Sequence, residues 1–324
     1  MTHPHSYAIL NQFIQTPLRN YFLVKKATSI VPISIQTNET ITVERGCDIW
    51  WIDGIEIPSG FNWLDLTDFQ LTTGGGTFDY NIPLKPILEM MPETIQGNFW
   101  RFPFNKLIQQ SIPLISIQFF YIKYKFKSDK DFEIKIYQGT SFLENEARRI
   151  LATNPQEIKI RNISQPFLFQ GNSLELNNQI NFISTGFLFH TQNELQKIKV
   201  SLDNYSLIDY NETMIKIYAK KLLKINYTKK NRNALKSVLD KYDVPNDILG
   251  VIENYINNEH WYWIPFAPEE DLWKWDFTDL SVNMDRVENL KIEVEPAQKS
   301  SNIFFITYNI MMIMHGQVGM KFVV

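Results

Sequence analysis

The chain is written mostly in short β-prone runs closed by turn residues, and that rhythm constrains its fold more than any other feature. Thr28 to Thr37 alternates through Ile30, Pro32 and Ile33-Ser34-Ile35, Glu39 to Glu44 carries Thr40-Ile41-Thr42-Val43, and Asp48 to Ile57 is a β-branched and aromatic run ended by Pro58-Ser59-Gly60. Further runs occupy Phe69 to Thr73 before Gly74-Gly75-Gly76, Pro113 to Phe126, and Phe132 to Tyr137. A second series follows at Phe167 to Phe169, Leu174 to Leu176, Phe187 to His190, Leu195 to Leu202 and Thr213 to Ala219. It resumes at Leu280 to Met284, Val287 to Val294, Ile303 to Met314 and Met320 to Val324. Such spacing predicts an all-β protein of sandwich or barrel type.

Helical pattern is confined to two places. Phe142 to Leu151 sets acids early and arginines late, matching the helix dipole, before an Asn154-Pro155 break. Asn231 to Glu259 repeats apolar residues at i, i+3, i+4 and i+7, split by Val244-Pro245, and predicts a helical pair inserted among strands.

With 44% hydrophobic and 21% charged residues over 324 positions, the chain has a core to bury, which excludes general disorder, collagen and a long charged coiled coil. A formal net charge of -3 gives no sequence-wide basic field for nucleic acid or anionic lipid. The single cysteine, Cys47, excludes an intrachain disulfide and predicts a reducing compartment. The first residues lack the layout of a signal peptide and no apolar run approaches the ~20 residues of a spanning helix, so the expectation is a soluble protein not secreted by the usual route.

Catalytic chemistry needs convergent polar groups, and the candidates are thin. His3, His5, His190, His260 and His315 are scattered, with no metalloprotease, nucleophile-elbow, Walker or dinucleotide motif. Gly74-Gly75-Gly76 has no following Lys-Ser/Thr and reads as a strand-ending turn, while Glu144 and Glu146 lie two apart on a helix and do not face each other. No enzyme, cofactor or metal site is expected. Trp261, Tyr262, Trp263, Trp273 and Trp275 form an aromatic cluster that serves either as a sugar-stacking platform or as core and interface anchors. Lys220, Lys221, Lys224, Lys229 and Lys230 form the local basic cluster, and the Met311, Met312, Met314 run alternates as a buried strand.

Several of these runs, in order, resemble the major capsid protein of tailless icosahedral DNA viruses, the double jelly-roll lineage of adenovirus-like viruses, large eukaryotic DNA viruses and virophages. The resemblance lies in Arg45-Gly46-Cys47-Asp48 through Ile57-Pro58, Phe69 through Asp79 with its glycine turn, Phe102-Pro103-Phe104-Asn105 followed by Ile112 to Gln118, and Phe142 to Arg149. It continues through Gly186 to Gln192 with Leu202-Asp203-Asn204-Tyr205, Ile264-Pro265-Phe266 through Arg286, and Tyr308 to Met320. The turn at Asp203-Asn204-Tyr205 departs from the family in lacking its glycine.

The resemblance implies two consecutive eight-stranded jelly-roll barrels. The expected divisions are an N-terminal arm (1–25), a first jelly roll (26–140), an interbarrel helix and linker (141–165), and a second jelly roll (166–324) with a helical insertion near 231–259. It also implies a structural capsid protein, made in the host cytoplasm and resident in the virion. Its trimers would form pseudo-hexameric capsomers tiling an icosahedral shell, with neighbouring capsomers, penton and minor capsid proteins and an internal membrane as partners and no specific nucleic acid. Trp261, Trp263, Trp273 and Trp275 are then the expected anchors, and Arg19, Lys25, Lys26, Lys220, Lys221, Lys224, Lys229 and Lys230 the inner-face or membrane contacts. Two alternatives stay open: a carbohydrate-binding or hydrolytic jelly-roll protein built round the tryptophans, and a minor or vertex capsid protein of related fold.

Overall fold

The computed structural model describes residues 25–73, 78–91, 94–118, 121–177, 183–203, 205–222, 260–266, 275 and 281–321. Residues 1–24 of the expected arm and the helical insertion expected near 231–259 lie outside them, as does the Gly74-Gly75-Gly76 turn. The chain divides into two compact units, one of Met1–Leu88, Thr94–Asn162 and Tyr308–Val323, the other of Glu89–Glu93, Ile163–Thr307 and Val324. The stretch Tyr308–Val323 thus groups with the first unit.

The first unit begins with β1 (Lys25–Gln36), β2 (Ile41–Thr42), β3 (Ile49–Glu56), β4 (Leu66–Thr73) and β5 (Asp79–Pro83). It continues through β6 (Ile95–Gln96), β7 (Phe99–Trp100), β8 (Ile122–Ser128), β9 (Glu133–Leu143) and β10 (Gln156–Ile163). Two antiparallel sheets result, in the orders β1-β9-β3-β7-β6 and β2-β8-β4-β5. Alternation along each strand sends one side-chain set inward: Trp50, Ile52 and Ile55 from β3, Phe69 and Leu71 from β4 and Tyr124 and Phe126 from β8 are all buried. Their rings meet edge-on or tilted, as at Trp50–Tyr124 (5.3 Å) and Phe69–Phe126 (5.0 Å). Arg161 of β10 is fully buried, donating from Nε to the Tyr308 hydroxyl (3.2 Å) and from a terminal nitrogen to the Lys106 carbonyl, while Tyr80 donates to the Arg161 carbonyl (2.8 Å). Those bonds satisfy polar groups that would otherwise be costly to bury.

The second unit contains β11 (Phe167–Asn177), β12 (Ile183–Thr191), β13 (Lys197–Leu202), β14 (Tyr205–Asn211), β15 (Lys220–Leu222), β16 (His260–Pro265) and β17 (Val282–Asn283). β18 (Asn289–Met314) starts in this unit and ends in the first, where β19 (Gln317–Met320) pairs with it. The order β14-β13-β18-β12-β16-β15 is continuous because β18 changes neighbours along its length. Its Leu290–Glu295 stretch pairs with β13, and β11 accompanies it through a register shift in which Gly171 lies opposite Gln298 and Ser173 opposite Glu293. Gly171 takes φ +81, which a side chain would disfavour. The core collects Phe169, Phe187, Phe189, Ile198, Val200, Tyr262, Ile264, Ile292 and Phe305. Two antiparallel β units with few helices make the double jelly-roll fold that the resemblance implied.

Local readings fail where a cap or proline outweighs β composition. Thr213 to Ala219, expected as strand, is the helix Glu212–Tyr218, because the Asn211 side chain accepts from the Met214 N–H (3.0 Å) and Lys216 pairs one turn back with Glu212. Pro113 to Phe126 is not one strand either: Leu114–Ser116 forms a 3-10 turn after Pro113, and β8 starts at Ile122. The helix expected from Phe142 starts at Asn145, since β9 runs on through Leu143.

Burial raises the phenol pKa of Tyr80 and Tyr124 far above the ordinary value of 10 and pushes that of Tyr262 up to about 12. The folded state keeps these protons when the unfolded state releases them, so stability is intact below pH 10 and falls above it. The slope is about 1.4 kcal/mol per pH unit for each buried phenol. Absorbance at 295 nm will show these tyrosines ionising together with unfolding; smooth ionisation of all tyrosines in the folded protein would contradict their burial.

Candidate assembly surfaces

The tryptophans named by the sequence lie inside the second unit where the structure describes them. β12 and β16 are buried on both faces, so their near-continuous apolar runs replace the alternation of a half-exposed sheet. Tyr262, Ile264 and Phe266 point into the core, and Trp261 and Trp263, of opposite parity, are only 2% and 3% exposed. Trp261 stacks on His190 (4.5 Å between centroids) and on Phe304 (5.7 Å), and its indole N–H donates to Glu89 (2.5 Å). Both rings are core side chains, so neither presents a face to a sugar or to a second chain. Trp275 is half-buried, and Trp273 lies outside the described residues.

Of the expected basic contacts, Lys25 and Lys26 begin β1 and Lys220 and Lys221 begin β15. Arg19, Lys224, Lys229 and Lys230 lie outside the described residues. The sequence reading passed over another basic column: Lys123, Lys125 and Lys127 alternate along β8, opposite Thr72, Gln70 and Asp68 of β4. Glu144 precedes the helix Asn145–Thr153, and Glu146 pairs with Arg149 (3.0 Å). Among the described residues no three His, Cys, Asp or Glu side chains cluster to hold a metal.

A surface absent from the sequence expectations lies on the outer side of the five-stranded sheet. Cross-strand register places Ile30, Gly139 and Trp51 in one row, Pro32, Tyr137 and Gly54 in the next, and Ser34, Lys135, Glu56 and Phe99 in a third. Two glycines seat two rings: a Cβ on Gly139 would lie 1.9 Å from the Trp51 indole, and one on Gly54 would lie 2.3 Å from the Phe99 ring. Phe99 meets Tyr137 edge-on at 5.4 Å, and Tyr137 donates to Glu56 (2.7 Å). One end of this face is covered by the helix Asn145–Thr153, whose Ala147 and Leu151 pack over Ile49, Leu143 and Trp51. Buried Asp48 pins that helix, accepting from the Leu143 N–H (2.9 Å) and pairing with Arg148 (3.0 Å). Ile30 and Pro32, further along this face, are exposed. A glycine inside a strand signals close approach by another group, so Gly54 and Gly139 are the sequence marks of this surface.

No protein-family model matches the chain, and no curated protein does. Among solved structures it is similar to VP54 of PBCV-1, in the crystal structure fitted into a cryo-EM reconstruction of the virophage Sputnik. Identity is 13%, with a TM-score of 0.57 over 96% of this chain and 100% of that one. It is similar to the same extent, at 12% identity, to the chain in a quasi-atomic model of the PBCV-1 virus capsid, again with a TM-score of 0.57 and coverage of 96% and 100%. The major capsid protein of bacteriophage PM2 aligns over 86% of this chain and 97% of its own, at 11% identity and a TM-score of 0.39. The chain thus has the double jelly-roll fold of viral major capsid proteins.

Two substitutions test the assignments. Trp261→Ala leaves a cavity in a fully packed face and will cost about 3–5 kcal/mol in urea unfolding; a change under 1 kcal/mol would mean that the ring is not in the core. Gly139→Ala will cost about 1–3 kcal/mol, because the Trp51 ring has to leave its seat; an unchanged urea midpoint would show that it does not lie there.

Proposed function

We propose that the chain is a structural capsid protein whose trimers form pseudo-hexameric capsomers of six upright barrels, tiling an icosahedral shell and meeting penton and minor capsid proteins at its edges. The observation that carries this reading is that both jelly rolls, and not one of them, align with VP54 and with the capsid chain of PBCV-1 over their whole length. Three double barrels supply six similar walls, and function is then geometry: large self-complementary interfaces in place of a reacting group. The role is structural rather than catalytic, and its place is the virion after synthesis in the host cytoplasm. The burial of Trp261 and Trp263 removes the stacking platform on which a sugar-binding reading rested.

Light scattering on the purified protein, with images of the same fraction, tests the proposal. Three chains of 38.2 kDa give a species of about 115 kDa with hexagonal outlines. A stable monomer at every concentration that can be reached would overturn the trimeric capsomer.

A further inference from the structure

The outer side of the four-stranded sheet presents a column of cations. β8 opens Ile122-Lys123-Tyr124-Lys125-Phe126-Lys127, and strand alternation buries the apolar set while Lys123, Lys125 and Lys127 take the other side. Successive lysines stand about 6.7 Å apart. Their row neighbours are uncharged at Thr42, Thr72 and Gln70, with Asp68 opposite Lys127 and Asp79 opposite Thr72. Among the described residues none of the three lysines forms an ion pair or a side-chain hydrogen bond. Three amines in a line repel one another, and a partner that brings carboxylates relieves that repulsion.

What the face lacks narrows the partner further. These rows hold no arginine to grip phosphates bidentately and no ring on which bases stack, and Asp68 and Asp79 repel a uniformly charged polyanion. Discrete carboxylates on a protein surface fit it better, and the chain carries such a set at one end of the same unit. The turn joining β8 to β9 brings Asp129 and Asp131, β9 opens with Glu133, and Glu39 follows β1; all are exposed.

Hydrogen bonds hold these turns on each other. The Thr37 N–H donates to the Phe132 carbonyl (2.9 Å) and the Asn38 N–H to the Phe126 carbonyl (2.9 Å). The Asn38 side chain donates to Asp131 (3.2 Å), Glu39 accepts from the Gln36 N–H (3.2 Å), and the intervening cation Lys130 is taken up by Asp65 (2.7 Å). Asp129 and Glu133 have no side-chain partner among the described residues. From Lys123 to Glu133 the sequence thus places lysines at alternate positions and then acids at alternate positions, and among the described residues no ion pair joins the two sets within the chain.

A closed ring of identical copies needs two unlike patches, since each copy offers one side to the copy ahead and another to the copy behind. We infer that Glu39, Asp129 and Glu133 of one copy dock on the Lys123–Lys125–Lys127 column of a second copy, a heterologous contact that orients the copies head to tail. This rests on the assembly reading above and names a surface that reading leaves open.

Disulfide trapping with charge exchange in the full chain tests it, in a Cys47→Ala background that removes the buried native thiol. A pool carrying Lys125→Cys, mixed under mild oxidation with a pool carrying Asp129→Cys, will yield a two-chain species containing one of each. Either pool alone, or mixed with Asn177→Cys on the exposed end of β11, will yield about tenfold less. Adding Lys123→Glu and Lys127→Glu to the first pool will suppress the mixed species by about tenfold, and adding Glu39→Lys and Glu133→Lys to the second will restore it. Restoration is a result that a misfolded variant does not give. Trapping that ignores both reversals, or pools that link to themselves as readily as to each other, would overturn the inference. Absence of trapping also overturns it, and binding of a single-stranded DNA oligonucleotide that the lysine reversals abolish would then assign the column to a polyanion. The mass of the untrapped sample decides what else falls. At about 115 kDa the assembly reading stands without this contact; at 38.2 kDa both fail.

Discussion

Hydrogen bonding to β18 is the constraint on which the rest of the structure depends. This 26-residue strand pairs with β10, β11, β12, β13 and β19, and it supplies Ile292 and Phe305 to one core and Tyr308 and Met311 to the other unit. A strand that serves so many neighbours has to bend, and the bend falls between Glu293 and Gln298. There Gln298 is buried, takes the Asn193 N–H on its amide oxygen (3.1 Å) and donates to the Pro296 carbonyl (2.9 Å). One side chain thus satisfies backbone groups freed by the irregularity, which would otherwise cost about 1–3 kcal/mol each when buried. Across from it, the positive φ of Gly171 lets β11 follow the bend.

That arrangement explains which parts of the fold were legible in sequence. Strand existence follows from local alternation, so β3 and β13 stand close to where the pattern put them. The union of Val287 to Val294 with Ile303 to Met314 into a single strand was not legible, because it depends on Gln298 and Asn193, more than a hundred residues apart, completing each other's hydrogen bonds. The Glu212–Tyr218 helix escaped for the opposite reason. Its composition is β-like, and a single capping bond from Asn211 decides the outcome. Of the Met run, Met311 and Ile313 are buried as expected, and Met314, where β18 ends, is half exposed.

The candidate surfaces were less legible than the fold. Aromatic clusters mark burial as readily as binding, and the sign depends on whether a second layer covers them. On β16 both parities are covered, so the richest aromatic run in the sequence is core. On β3 the inner Trp50 is sealed, with its indole N–H on Gln138 (2.6 Å), while its neighbour Trp51 lies outward across Gly139. Two adjacent tryptophans thus have different roles, and the information that separates them sits in a glycine almost ninety residues away on the paired strand.

Charge placement gives the same distinction at the level of whole edges. The solvent face formed by β11, β18, β13 and β14 is laced with alternating signs, as where Lys291 pairs with Glu293 (3.0 Å) and reaches Glu175 (3.7 Å). Such exposed pairs add little stability, but their desolvation cost keeps that face in water and discourages chance association. On β1 the charged residues, Lys25 and Lys26, stand at its start, and Pro32 offers no N–H to an added strand. Edge charges and a strand proline both act on the backbone groups that a sheet leaves unpaired, so positions that add little to stability still limit strand addition.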